Sequence, residues 1–497
     1  MQTDPTRGVV LFFLAALPRL VGAFFLPNAF GDAYVYIQEI GNLSTKISGT
    51  TFRLTDLFGF WLPLYQFISA VINLLVKNGF YAGKVVAALF GAGACLFVYL
   101  ITAQLTKNTT AATWMFLLIA LNPLHIFYSA SAMTDVPHAF FVLATLYFVL
   151  TGNWIVAAVC GALAGLTRVE SWMLIALLPL IQFSKEHRIS FVPILILMGP
   201  PVFWFYISWK ATGNWLASFV QRQEYHDWLL RMNPSIAGFS LSHLLKDSAT
   251  LLVSTEVAVL IACFMAGWFV LKHFRKTVRG EAPDEVSAIS APVLFFFAFF
   301  ALLVIAYLTH QQPIIFPRYG LILFSLGLPL LAWGFLRIRT TRPWLARGVL
   351  IGIAVVCLFD ISVQLAGAVG TVMQYCVQRD TADYLRDHFD ATSGMRIFCD
   401  DGTVRVLSGI PEEKFVTSAN SPTDRPGIIE FLKDQRVQYL VLVKPAPTHA
   451  IFTDASVAKP ASLDVLMYRR TAFIPTEIWL YQLSQSEAGR PLENSER

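Results

Sequence analysis

The first apolar run of the chain reads GVVLFFLAALPRLVGAFFL from Gly8 to Leu26, and the polar stretch PNAFGDAY follows at residues 27–34. The run carries a single charge, Arg19, and has about the length, roughly 20 residues, that a helix needs to cross a bilayer. It is longer than the apolar core of a secretory signal, and no convincing small-residue cleavage site follows it. We therefore expect a retained membrane helix.

Similar apolar runs recur along most of the chain. Of its 497 residues, 56% are hydrophobic and only 14% are charged, whereas soluble domains have about 25% charged residues. The excess apolar surface must face lipid. The pattern predicts eleven membrane-spanning helices, at about 8–26, 83–104, 112–130, 138–151, 154–167, 172–184, 190–208, 248–271, 290–308, 319–336 and 348–367.

The composition changes near residue 370. Residues 1–370 form the predicted membrane domain, and residues 376–497 have the charge content of an ordinary soluble domain. In this tail, helical stretches at 381–389 and 428–435 alternate with strand-like runs at 395–398 and 439–443. The predicted fold class is a polytopic α-helical membrane bundle with a C-terminal soluble α/β domain. Two tail cysteines, Cys376 and Cys399, would be able to pair in an oxidising compartment.

The positive charges indicate topology. The net charge is +5, but Lys and Arg cluster in short loops, at 185–188, 272–276 and 337–347, which favours cytoplasmic loops over nucleic-acid binding. An odd number of spans then places the tail outside. This requires that the apolar stretch Trp61–Val76 is only partly embedded or re-entrant. The outer segments are 27–60, the large first outer loop, then 131–137, 209–247 and 309–318.

Two acids occur in the first two outer segments. Asp32 and Asp135 each precede a helical pattern, so each is a candidate helix cap. Ionisable groups at a membrane boundary are costly unless paired or used. A carboxylate there also suits a general base that takes a proton from an acceptor hydroxyl. Two such acids on one face favour a shared catalytic site.

Further polar residues accompany these acids. His138 shares a helical face with Asp135, which fits a proton relay, a metal ligand or a packed, hydrogen-bonded side chain. Arg168 and Glu170 lie where two apolar runs meet. A spacing of two is unsuited to a salt bridge between them on a helix, so we expect each to seek another partner, either a carboxylate elsewhere or a substrate.

The segment from His310 to Tyr319 places Arg318 at the head of a late span. Arg binds phosphate through its planar fork of donors, although an interfacial Arg also anchors helices among lipid headgroups, and Tyr319 fits an aromatic belt. Lys84 is a further cation on the outer side. A cavity lined by two acids and several cations would suit a lipid phosphate that carries a sugar.

These features occur in a recognisable order. An acid follows the first span, Leu-Pro-Leu-Tyr stands at 62–65, a second acid lies in Met-Thr-Asp at 133–135, Arg-Tyr heads a late span, and a soluble tail ends the chain. The order resembles the membrane glycosyltransferases of the GT-C type. Within that type it is similar to bacterial relatives of the dolichyl-phosphate-mannose protein mannosyltransferases and of the aminoarabinose transferase that acts on lipid A.

The resemblance implies an inverting enzyme of the bacterial inner membrane. It would move a sugar from a polyprenyl-phosphate carrier to a lipid, protein or glycan acceptor outside the cytoplasm. Asp32 would be the catalytic base, Asp135 a second acid of the site, and Arg318 a contact of the donor phosphate. Tyr319, His310, Arg168, Glu170, Lys84 and His138 complete the candidate substrate-binding residues.

The chain also departs from the family pattern. Phe60-Trp61-Leu62-Pro63 stands where many relatives have a His-Pro-Pro type sequence, and Ala33 follows Asp32 where a second acid would favour a metal. No metal ligand is therefore assigned, although a divalent metal is compatible with the family. The same cations would equally suit a flippase or transporter of a lipid-linked saccharide. A third hypothesis is a membrane scaffold that displays the tail.

Overall fold

The computed structural model describes residues 5–232, 240–273, 283–312, 314–418, 421–422, 425–444, 463–470 and 477–483. Most of this part of the chain is helical. The helices are α1 Pro5–Phe25, α2 Asp32–Ser48, α3 Leu64–Val76, α4 Gly79–Thr106, α5 Thr109–Leu121, α6 Pro123–Ser129, α7 Asp135–Leu150, α8 Trp154–Gly165, α9 Leu174–Glu186, α10 Phe191–Thr212, α11 Ala217–Met232, α12 Leu241–Thr255, α13 Val257–Lys272, α14 Asp284–Leu308, α15 Gly320–Thr341, α16 Pro343–His388, α17 Gly402–Ser408 and α18 Arg425–Asp434.

The long apolar helices identify an integral membrane protein. Within the described residues, six helical segments are each long and apolar enough to cross a bilayer, and up to eight do so when two bent helix pairs are counted as single spans. Each of the eleven predicted runs overlaps helical structure. Several of these helices, such as α8, are shorter than a full span. The count of eleven crossings therefore stays a prediction.

Two predicted spans are broken rather than continuous. The run 112–130 bends by 61° between α5 and α6, and the run 248–271 bends by 87° between α12 and α13. Pro123 has no N–H and begins α6, which explains the first break. Glu256 separates α12 from α13 with a positive φ of 64°, which explains the second. The sequence pattern predicted a span at each of these places but did not predict the breaks.

The stretch predicted to be re-entrant contains the short helix α3. Its 13 residues extend over about 20 Å, less than the roughly 30 Å of hydrocarbon. The first amide of α3, Leu64 N, donates to Leu166 O at 3.1 Å, and Tyr65 Oη donates to Gly83 O at 2.9 Å. Helix α3 is therefore fixed against the bundle and is shorter than the hydrocarbon core, and the re-entrant placement of 61–76 stays a prediction.

Helix α4 packs closely against its neighbours because it carries small residues. A Cβ atom at Gly91 would lie 2.3 Å from Ser129 Oγ, and one at Gly93 would lie 2.5 Å from the Phe140 ring. Glycine therefore allows α4 to approach α6 and α7, as small residues commonly do between membrane helices.

The described residues from Val369 onward group with residues 30–35 and 227–232 as a second compact unit, separate from the unit that holds most of the membrane helices. This second unit contains a five-stranded sheet in the order β2-β1-β3-β5-β4. Strand β1 is parallel to β2 and β3, while β5 is antiparallel to β3 and β4. The strands are β1 Arg396–Cys399, β2 Phe415–Val416, β3 Val437–Lys444, β4 Leu463–Arg470 and β5 Glu477–Leu483.

The secondary structure of the tail agrees with its sequence pattern. The strand-like runs at 395–398 and 439–443 correspond to β1 and β3, and the helical stretches correspond to the end of α16 and to α18. The two cysteines of the tail do not pair. Cys376 is exposed, Cys399 is buried, and both are free thiols.

Candidate active site

The unit of membrane helices contains a small cavity of about 100 Å³ with charged residues in its wall. Six of the nine predicted site residues line it. The polar lining consists of Asp135, His138, Arg168, Glu170, Gln312, Arg318 and Tyr319, and the apolar lining is Phe299, Leu302, Leu303, Ala306, Ile322 and Leu323. Side chains from two of the four predicted outer segments, 131–137 and 309–318, thus meet at one place with Arg168 and Glu170.

Arg168 links two acids in this cavity. Its Nη1 lies 2.7 Å from Asp135 Oδ1, and its Nη2 lies 2.7 Å from Glu170 Oε1. The prediction that Arg168 and Glu170 do not pair with each other was wrong. Arg168 has extended backbone angles and precedes a 3₁₀ turn, Val169–Met173, so the helical spacing rule does not apply. The expected second carboxylate partner of Arg168 is Asp135.

The charges on Arg168 and Glu170 stabilise each other. Burial opposes ionisation of Glu170, but the Arg168 guanidinium and its hydrogen bonds outweigh that effect and lower the pKa of Glu170. Burial likewise opposes the charge on Arg168, and the two carboxylates more than compensate, so its pKa is raised. The cavity therefore holds fixed charges of both signs.

Asp135 keeps one carboxylate oxygen available. It is the first residue of α7, where the helix dipole favours a negative charge. Its Oδ1 accepts from Arg168, while Oδ2 is buried and has no hydrogen-bond partner among the described residues. The preceding residue, Thr134, contacts α2 through Tyr36 Oη at 3.3 Å. A bound hydroxyl would find a free acceptor at Asp135.

His138 lies on the first turn of α7 and also lines the cavity. Its Nε2 is 2.7 Å from Ser171 Oγ, and its ring packs edge-on against Phe299, with centroids 5.7 Å apart. This is the packed, hydrogen-bonded arrangement among those that the sequence left open. His138 shares the cavity wall with Asp135, as predicted from their spacing.

Arg318 reaches the cavity from a 3₁₀ turn, Pro317–Tyr319, that leads into α15. Its guanidinium lies over the rings of Phe316 and Tyr319, 5.2 Å and 5.4 Å from their centroids. The next residue is Gly320, where a Cβ atom would lie only 2.1 Å from Ser254 Oγ. Close packing on α12 therefore fixes the turn that carries Arg318.

Three predicted site residues do not line this cavity. Asp32 is the first residue of α2 and belongs to the second compact unit. Lys84 is buried in α4, where its Nζ donates to Leu26 O at 2.5 Å and lies 4.8 Å from the centre of the Phe80 ring. His310 follows the end of α14 with a left-handed φ of 57°.

Gln312 and the six apolar lining residues, Phe299 among them, were not among the predicted site residues. Gln312 lies in the outer segment 309–318, so its position was within reach, whereas Phe299 lies among many similar residues of an apolar helix. Within the described ranges, no three His, Cys, Asp or Glu side chains gather as a metal site.

Comparison with known proteins identifies the fold. Residues 54–178 match the family model described as dolichyl-phosphate-mannose-protein mannosyltransferase. No curated protein sequence matches the chain significantly.

Solved structures match almost the full length of the chain. One is ArnT from Cupriavidus metallidurans bound to undecaprenyl phosphate, with 14% identity, a TM-score of 0.57, and coverage of 98% of this chain and 100% of that chain. The apo state of the same protein gives 14% identity, the same coverage and a TM-score of 0.52. The archaeal oligosaccharyltransferase AglB from Archaeoglobus fulgidus, in complex with an inhibitory peptide and a dolichol-phosphate, gives 12% identity, a TM-score of 0.51, and coverage of 98% and 75%.

These matches confirm the predicted fold class, a helical membrane bundle followed by a small soluble domain. They also confirm the resemblance to the GT-C glycosyltransferases that the order of the sequence motifs indicated. The chain has the fold of the GT-C membrane glycosyltransferases and resembles the dolichyl-phosphate-mannose protein mannosyltransferases and ArnT.

Proposed function

We propose that this chain is a glycosyltransferase that takes a sugar from a polyprenyl-phosphate donor and inverts the anomeric centre. The acceptor is a lipid, protein or glycan on the outer side of the inner membrane. The observation that carries the proposal is the cavity in which Arg318, Arg168 and Asp135 meet. Two solved structures of the same fold contain undecaprenyl phosphate and a dolichol-phosphate, which supports a lipid phosphate as ligand here.

Arg318 is the residue that we assign to the donor phosphate. Its planar fork suits phosphate oxygens, and Tyr319 beside it supplies a hydroxyl. Asp135 accepts a hydroxyl of the sugar through Oδ2, the oxygen without a partner in the described structure. Arg168 and Glu170 hold Asp135 in place.

Asp32 is the proposed base. It removes the proton of the acceptor hydroxyl as that oxygen attacks the anomeric carbon. The bond from this carbon to the phosphate oxygen breaks, and the polyprenyl phosphate leaves with the electron pair. Arg318 stabilises the negative charge that develops on the leaving phosphate. No metal is assigned to these steps.

Transfer of radiolabelled sugar from a synthetic polyprenyl-phosphate donor to membrane extracts tests the proposal. We expect Asp32→Asn to reduce the transfer rate by at least about a hundredfold, the scale of general base catalysis. Arg318→Gln should weaken donor binding as well as transfer. Undiminished transfer by Asp32→Asn would remove Asp32 from the mechanism. Glu413→Gln, which changes an exposed acid of the tail outside the candidate residues, serves as the comparison variant.

A transporter of lipid-linked saccharides is the alternative function, because the same cations would hold the same phosphate. Reconstituted vesicles distinguish the two functions. A transporter moves the lipid-linked sugar across the bilayer without forming a glycosylated product, whereas the proposed enzyme forms product from donor supplied on one side.

A further inference from the structure

The break between α12 and α13 gathers polar groups that the proposed reaction does not use. Glu256 stands at the break and is buried, with 1% of its surface exposed. Its Oε1 accepts from Asn122 Nδ2 at 2.9 Å, and its Oε2 accepts from Cys357 Sγ at 3.3 Å. Asn122 itself marks the break between α5 and α6. The two broken helices thus meet at one carboxylate.

One face of α16 supplies further polar groups to the same place. Cys357, Asp360 and Gln364 are spaced by three and four residues, so they share a helical face. Asp360 Oδ2 accepts from Val257 N at 3.2 Å, and Gln364 Nε2 donates to Val253 O at 2.9 Å. These bonds hold α16 across the ends of α12 and α13.

Several oxygens at this break have no partner in the described part of the chain. They are Asp360 Oδ1, Gln364 Oε1 and Thr255 Oγ1. Each of these residues exposes at most 5% of its surface. The carboxyl end of α12, which carries the negative end of the helix dipole, lies at the same point. The hydrogen-bond partners of Glu256 and Asp360 are neutral groups.

Two buried carboxylates with neutral partners are costly unless a positive charge joins them. A proton on Asp360 would neutralise one carboxylate, but its single O–H would serve only one of the remaining oxygens and would leave Glu256 charged among neutral partners. A cation coordinated by oxygens satisfies all these groups together. Broken membrane helices are also places where carbonyl groups and helix ends bind small cations.

We propose that this break binds one hard cation, Na⁺ or Ca²⁺, through Glu256, Asp360, Gln364 and Thr255. Oxygen ligands of this kind suit hard cations rather than the transition metals that prefer His and Cys. The adjacent Ser254 packs against Gly320, so the ion would also stiffen the support of the turn that carries Arg318. The site is independent of the sugar that the enzyme uses.

Thermal unfolding of the purified full-length protein in detergent tests the proposal. We expect NaCl or CaCl₂ to raise Tm in a saturable way, since a ligand that binds only the folded state stabilises it. Choline chloride at equal ionic strength should not. The two salts in separate titrations identify the ion. Asp360→Asn should raise the salt concentration that gives half of the Tm increase by at least about tenfold. Asp387→Asn, which changes an exposed acid on the same helix, should leave this concentration unchanged.

Equilibrium binding of ²²Na⁺ and ⁴⁵Ca²⁺ to the wild-type protein provides a measurement that does not depend on the folding of variants. About one ion bound per chain supports the site. Absence of saturable binding by both ions would overturn it. A Tm that responds to pH but to neither salt would also overturn it, and would assign the positive charge to protons. Neither result depends on whether sugar transfer is observed.

Discussion

Arg168 balances two acids of the cavity, the buried Asp135 and the half-buried Glu170. It pairs with Asp135 and Glu170 at 2.7 Å each, and removal of one partner from a buried ion pair costs about 3–5 kcal/mol because the remaining charge is left unpaired. We therefore expect Arg168→Leu to lower the free energy of unfolding by about that amount, measured by denaturant titration in mixed micelles.

An exposed ion pair provides the control for this prediction. Arg188 pairs with Glu186 at 3.0 Å, and 77% of the Arg188 side chain is exposed. Exposed pairs contribute about 0–1 kcal/mol, so Arg188→Leu should have little effect. Equal losses of unfolding free energy in the two variants would contradict the proposal that Arg168 balances the acids of the cavity. Neutralising Asp135 and Glu170 together in the Arg168→Leu background should recover part of the loss.

Glu39 on α2 is expected to make stability depend on pH. Burial raises its pKa from the ordinary 4.5 to about 7, against the opposing hydrogen bond from Gln66. The folded protein therefore holds this proton more tightly than the unfolded chain. The contribution of Glu39 to the free energy of unfolding is fully present below about pH 4.5. It falls as the pH rises to about 7 and is constant above that.

The variant Glu39→Gln tests this dependence. Its Tm should vary less between pH 5 and pH 7 than that of the wild type, because the titrating group is gone. Glu413→Gln, which changes an exposed acid of the tail, is the matched control. An unchanged pH profile in Glu39→Gln would show that another group is responsible.

At the scale of single helices, Arg19 explains how a broken membrane helix is tolerated. Arg19 is fully buried in α1, and its guanidinium donates to Ile119 O at 3.0 Å and to Ala120 O at 3.2 Å. In an unbroken helix, Ile119 O would accept from residue 123, which is a proline and has no N–H. Arg19 therefore supplies donors that the break removes.

The variant Arg19→Met should destabilise the protein by about 2 kcal/mol or more, since each buried carbonyl without a donor costs about 1–3 kcal/mol. Adding Pro123→Ala restores an N–H for Ile119 O and should recover part of this loss. A double-mutant cycle of the two changes, read by denaturant titration, measures the coupling. Additive effects would contradict the proposed compensation.

At the scale of the whole molecule, the outer location of both Asn78 and the tail is a prediction from charge and span count. Labelling with a membrane-impermeant maleimide tests it. Asn78→Cys and the exposed native Cys376 should react from the outer side of sealed vesicles. Arg188→Cys should react only after permeabilisation. If Asn78→Cys is labelled only from inside, α3 crosses the membrane or the span count is different.

Several elements were predictable because their signals are local. Apolar length reveals a membrane helix such as α4, and alternating helical and strand-like runs reveal β1 and β3 in the tail. The two helix breaks were harder to predict from the sequence. Pro123 is a local signal that was available in the sequence, whereas the bend at Glu256 depends on partners, Asn122 and Cys357, that are more than 100 residues away.

The membrane class, the tail and the candidate polar residues were predictable from sequence, because hydrophobic length and isolated charges are properties of single segments. Which of those residues share a cavity depends on the tertiary structure. It joined Arg168 to Asp135 and Glu170, brought Arg318 to the same cavity, and left Asp32, Lys84 and His310 off the lining. Such pairings depend on distances between helices that lie far apart along the chain.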